Sequence, residues 1–247
     1  SALNELRLDS INLKDELSIL MRLPFDEDVE QEEQEYREAT VYKLLADYRK
    51  ANHLHFSISQ GFNQFEIHVQ VAAGAPQLDT IRTLLLLLKK ELNFPFRIGA
   101  GVSPSYERSR YFAEHALMEA DRYGRNDAFF MDEEDKITGP LSADNQLMYN
   151  YSNEKALAFA RENGINETNI LKLISIFEQD EEQLISSHAL SEKLGITMRS
   201  ASRILAKLYD LDMIRFRDTA PDTKTPRQGR PSHYYHFNPA AFREALL

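Results

Sequence analysis

The hydrophobic positions change period several times along the chain, and each change marks an element. Leu13, Leu17 and Leu20 recur at helical spacing near the start. Pro24 interrupts that run and Asp26 to Glu35 is strongly acidic, so residues 1–35 read as a solvated helix or linker, or as part of a first strand. Residues 36–51 place Val41, Leu44, Leu45 and Tyr48 on one face of an amphipathic helix. His55 to Ser59 alternates like a strand, Gln60–Asn63 reads as a turn, and Phe65, Ile67, Val69 and Val71 alternate again. That is the pattern of a β-hairpin. Pro76 and Asp79 open a helix that runs through Leu92, and Phe96 to Val102 is a short strand. Pro104 to Tyr123 is a helix with Phe112, Ala113, Ala116, Leu117 and Ala120 inward, and Gly124 stands where a helix should stop. Ala128–Met131 is a last strand, and the polar stretch 132–152 with Gly139–Pro140 reads as a linker.

Beyond the linker the pattern is mostly helical. Asn153 caps a helix through Glu162 that Gly164 ends, and Asn166 caps another with Ile170, Leu173, Ile174 and Phe177 inward. Ser187–Leu194 is a short helix stopped by Gly195, and Thr197 caps a helix from Met198 to Leu211. The inward face of that helix is Ala201, Ile204, Leu205 and Leu208. Its outward face offers Arg199, Ser200, Ser202, Arg203 and Lys207. Met213–Phe216 is a strand, Asp218 to Arg230 is a polar loop carrying Lys224, Arg227 and Arg230, and Ser232–Phe237 is an aromatic strand. The predicted fold class is α+β. A sheet with packed helices spans 36–145, and a mostly α domain spans 146–247.

Composition narrows the chemistry. Cysteine is absent, which excludes disulfides, thiolate metal sites and cysteine nucleophiles. No apolar run reaches the ~18–20 residues of a membrane span, and no signal-peptide pattern opens the chain, so a cytoplasmic protein is expected. The chain begins at Ser1 rather than Met, which leaves open what precedes it. The net charge of −10 argues at first against nucleic acid. Its distribution reverses that: residues 146–247 hold 13 Lys and Arg against 13 Asp and Glu. Lys193 to Arg230 holds nine basic residues against four acidic ones. Phosphate contacts depend on local charge, so an acidic partner domain is no obstacle.

Two helices joined by a short turn with glycine have the helix-turn-helix layout, in which the second helix enters the major groove of double-stranded DNA. Arg199 and Arg203 lie one turn apart, and an arginine bridges guanine acceptors bidentately, while Ser200, Ser202 and Thr197 offer hydroxyls to phosphates or bases. A strand, a cationic loop and a strand then form a wing. The segment Gly229-Arg230-Pro231-Ser232 followed by Tyr235 resembles the wing of many bacterial winged-helix repressors. A homodimer is expected from the two-fold symmetry of helix-turn-helix operators. His233 and His236 are read as sheet residues, and no metal site is expected.

The first domain carries a different resemblance. Ala113-Glu-His-Ala116-Leu117-Met-Glu-Ala120-Asp121-Arg-Tyr-Gly124-Arg125-Asn126 is similar to the last helix and turn of GGDEF (diguanylate-cyclase) domains, with the pattern Ala-Asp-x-Ala-Leu-Tyr-x-Ala-Lys-x-x-Gly-Arg-Asn. Ile98-Gly99-Ala100-Gly101-Val102-Ser103 looks like the strand before that helix, and Gly61-Phe62-Asn63-Gln64-Phe65 occupies the place of Gly-Gly-Asp-Glu-Phe. The resemblance implies a ferredoxin-like palm shared with nucleotide cyclases. It also implies what is missing. Phe62 replaces the glycine that lets substrate approach, and Asn63 and Gln64 are neutral amides where a hard dication needs carboxylate. Asp121 replaces a phosphate-contacting lysine. Asp9-Ser-Ile-Asn12-Leu13-Lys14, set against the family's Asp-x-Asp-x-Phe-Lys, has Ile11 where the family has its second acid. No catalytic residue or cofactor is therefore expected. Gly61, Phe62, Asn63 and Gln64 remain open either to a small-molecule or nucleotide effector, or to a plain tight hairpin with a buried Phe62. Two other functions stay in view: a GTP-using enzyme, and a winged helix that serves as a protein-interaction adaptor.

Overall fold

A computed structural model describes residues 14–25, 28–51, 55–73, 77–142, 146–217 and 233–247. The chain is mixed α/β and divides into two units, Ser1–Gln146 and Leu147–Leu247. Among the described residues no helix is long and apolar enough to cross a membrane.

The first unit runs β1 (Lys14–Arg22), α1 (Gln31–Ala51), β2 (Ser57–Gly61), β3 (Gln64–Ala72), α2 (Gln77–Glu91), β4 (Arg97–Ser103), α3 (Tyr106–Tyr123), β5 (Ala128–Met131) and β6 (Lys136–Gly139). Its strands lie in the order β2-β3-β1-β4-β5-β6. β1 is antiparallel to both β3 and β4, and β4 and β5 are parallel.

Of the two readings of the opening segment, the helical one is corrected and the first strand holds: residues 14–22 are a strand inside the sheet. Leu17, Ile19 and Met21 point into a core shared with Val41 and Leu45 of α1 and with Ile81, Leu84, Leu85 and Leu88 of α2. Ser18 and Leu20 point to the other face. There Leu20 packs with Ala113 and Leu117 of α3, and the Ser18 and Ser109 hydroxyls lie 2.8 Å apart. A strand buried on both faces is apolar at consecutive positions, so the period of two disappears.

α1 begins within the acidic run, at Gln31, with Glu32 and Glu33 in its first turn, where the helix dipole favours negative charge. α3 lies directly on β4. A Cβ on Gly99 would overlap the backbone of Ala113 and Leu117, and one on Gly101 would overlap Ser109 and Phe112. Glycine at both positions is what allows this approach. Ser105 caps α3, and Gly124 ends it at φ 72°.

The stretch 132–152, read as a linker, is also corrected. It contains β6 and β7 (Leu147–Asn150). Ile137, Leu141, Leu147 and Tyr149 are all buried. Strands of four residues carry too few positions to show a period.

The second unit runs β7, α4 (Glu154–Glu162), α5 (Glu167–Gln179), α6 (Ser187–Leu194), α7 (Met198–Asp210), β8 (Ile214–Arg217), β9 (Tyr234–Phe237) and α8 (Pro239–Leu246). Asn153, Asn166, Ser186 and Thr197 each accept a hydrogen bond from the backbone N–H three residues on, as N-caps do. Phe177, Phe237 and Phe242 form one aromatic cluster, with ring centroids 4.5–5.3 Å apart. β8 and β9 pair antiparallel. Pro239 stands in the first turn of α8, an element the sequence pattern did not predict. The loop carrying Lys224, Arg227 and Arg230 lies outside the described residues, as does Asp9 to Leu13.

Candidate nucleic-acid interface and the β2–β3 hairpin

Two places gather the residues singled out in the sequence. The first is the α6–turn–α7 segment. Gly195 ends α6 in the left-handed region at φ 68°, and Ile196 N donates to Ser191 O at 3.0 Å. Thr197 then caps α7, and its hydroxyl lies 3.0 Å from that of Ser200. Ala201, Ile204, Leu205 and Leu208 are buried. On the opposite side Arg199, Ser202, Arg203 and Ala206 are exposed at i, i+3, i+4 and i+7, one continuous stripe. Ser202 Oγ donates to Ser187 Oγ of α6 at 3.0 Å. Among the described residues neither Arg199 nor Arg203 makes an ion pair.

Lys207 is placed differently. It is half-buried, and its ammonium donates to the carbonyls of Asn163 (2.6 Å) and Gly164 (2.8 Å). It braces α7 against the end of α4. Ala206 was not among the predicted residues. Its position one turn beyond Ser202 and Arg203 was the available signal. In β8, Arg215 and Phe216 are exposed. Arg215 reaches Asp212 at 3.4 Å, and the Phe216 ring lies 5.3 Å from that of His233 and 5.9 Å from that of Tyr235.

The second place is the β2–β3 hairpin. Gly61 pairs with Gln64, so the loop is the two residues Phe62 and Asn63. Phe62 is 80% exposed, which corrects the reading of a buried ring. The buried aromatic is Phe65, and Phe62 instead lies 6.5 Å from Phe25, itself 67% exposed. Asn63 takes φ 54°, a conformation asparagine tolerates better than most residues, and it is 5% exposed. Its N–H donates to Glu38 Oε1 at 3.0 Å, its carbonyl accepts from Leu23 N at 2.9 Å, and its Oδ1 accepts from Gln34. Its buried Nδ2 has no hydrogen-bond partner among the described residues.

Gln64 Oε1 accepts from Arg22 Nη2 at 3.2 Å, and Arg22 Nη1 pairs with Asp121 of α3. Opposite Arg22 on β4 stands Arg97, whose guanidinium donates to Phe96 O, Asn126 Oδ1 and Gly124 O. Burial lowers the Arg97 pKa from its ordinary value, and Asp121 acts against that shift. Sequence reasoning missed Arg22, Gln34 and Glu38, because their partners lie far along the chain.

No family model and no curated protein sequence matches the chain. Chemistry alone separates the two places. The α7 stripe presents two guanidinium groups and a hydroxyl to solvent. At the hairpin the side chains of Arg22, Gln64 and Asp121 satisfy one another.

Proposed function

We propose that the protein is a DNA-binding transcription regulator. On this reading α5 to β9 form a winged helix-turn-helix with α7 as its recognition helix. The exposed stripe of Arg199, Ser202, Arg203 and Ala206 carries the reading. Arginines with no carboxylate partner among the described residues, aligned on a helix that follows a tight glycine turn, suit the edges and phosphates of a duplex. Ala206 suits the methyl group of thymine.

The first unit is, on the same reading, a GGDEF-like palm without its chemistry, serving as an effector sensor or as a dimerisation scaffold. Phosphoryl transfer needs metal and cationic stabilisation of the transferred charge. The groups around the hairpin do not offer it: Asn63 and Gln64 are amides, and Arg22 is neutralised by Asp121. Symmetric operators favour a dimer. Fluorescence anisotropy of the full chain on random-sequence duplex DNA tests the reading. Binding should weaken steeply as salt rises. Absence of binding at low salt would overturn it in favour of a protein-interaction adaptor.

A further inference from the structure

A polar cleft of about 200 Å³ opens beside the α7 stripe, within the second unit. Its lining includes Asn166 and Asn169 of the α4–α5 corner and Ser200, Arg203 and Lys207 of α7. These groups are unequal. The Lys207 ammonium is held by two backbone carbonyls, and Thr197 engages the Ser200 hydroxyl. Arg203 is exposed and, among the described residues, has no carboxylate partner. Among the described residues no Asp or Glu lines the cleft. A guanidinium with a second cation behind it, an asparagine amide and a hydroxyl make a donor-rich recess with room for a tetrahedral anion.

We propose that this cleft seats a phosphate group, and that the group is a backbone phosphate of bound DNA. The proposal rests on the DNA-binding reading and deepens it. It divides the two arginines: Arg203 clamps the backbone and sets the register, and Arg199, outside the cleft, reads bases together with Ser202.

The test uses the full chain and an operator selected from a random duplex pool by the wild-type protein. Arg203→Gln and Asn169→Asp should each weaken binding about tenfold on the operator and on random duplex alike. Each should lower the slope of log affinity against log salt by about one. The double variant should lose little more than either single one, because both act on one phosphate. Arg199→Gln should instead lose discrimination between operator and random duplex. Thermal melts of the variants should match the wild type.

Loss of discrimination in Arg203→Gln with an unchanged salt slope overturns the proposal and leaves the DNA-binding reading standing. So does wild-type affinity in Asn169→Asp. Calorimetry with inorganic phosphate tests the other source. Phosphate binding that Asn169→Asp abolishes, with DNA affinity unchanged, would make the cleft a seat for free phosphate compounds and overturn its assignment to DNA. Failure of the wild type to bind any duplex at low salt would take down the DNA-binding reading itself.

Discussion

The α7 stripe and the β2–β3 hairpin both hold arginine, and they use it in opposite ways. Arg22 at the hairpin is matched by Asp121 and Gln64. Arg199 and Arg203 on α7 have no such match among the described residues, although the chain as a whole carries net charge −10. A guanidinium already neutralised within the fold has little attraction left for a phosphate, whereas an exposed and unmatched one keeps nearly all of it. The difference separates a surface suited to an anionic partner from one whose arginine is already matched within the fold.

The strongest way to break this comparison is to remove the unmatched charge. Arg199→Ala combined with Arg203→Ala should weaken DNA binding on the order of 100-fold in anisotropy titrations. Its unfolding free energy in urea should change by no more than an ordinary surface substitution does, about 0.5 kcal/mol. Gly195→Ala attacks the turn that presents the stripe. Forcing a side chain into the left-handed region at φ 68° should cost about 1–2 kcal/mol in urea unfolding, and DNA affinity should fall with it. Arg22→Ala is the converse experiment. The pair is partly exposed, with side-chain accessibilities of 41% and 33%, so a cost of about 1 kcal/mol or less is expected and DNA affinity should stay unchanged. A fall in DNA affinity there would erase the contrast between the two places. The smallest effect concerns a phenol on α3. Tyr106 OH donates to Glu66 Oε1 at 2.5 Å, and that bond raises its pKa above the ordinary tyrosine value. The contact stabilises the fold at neutral pH and is lost as pH rises through the raised pKa. Tyr106 should ionise late in an ultraviolet absorbance titration, and Tyr106→Phe should lower the late amplitude by one tyrosine.

What the sequence disclosed follows from how local each signal is. Thr197 as a cap, Gly195 as a stop, and the buried face of Ala201, Ile204, Leu205 and Leu208 are all set within a few residues, and periodicity finds them. At Lys14–Arg22 the strand stayed only one of two readings, because burial on both faces removes alternation and three leucines at helical spacing pointed to a helix. β6 and β7 escaped through shortness, and the exposure of Phe62 through a turn whose neighbours the local pattern does not reveal. The Arg22–Asp121 pair spans 99 residues, and Lys207 meets carbonyls 43 and 44 residues away. Periodicity points Lys207 outward. Only the folded chain shows where its ammonium goes.

The bare backbone of Gly99 and Gly101 has a consequence in time. A helix that rests on side chains can lift or slide by small rotamer changes. α3 has no such cushion over β4, and its seat on the strand is all or nothing. The amides of Ile98 to Val102 and of Ser109 to Ala120 should therefore be released to solvent deuterium together, among the last in the first unit to exchange.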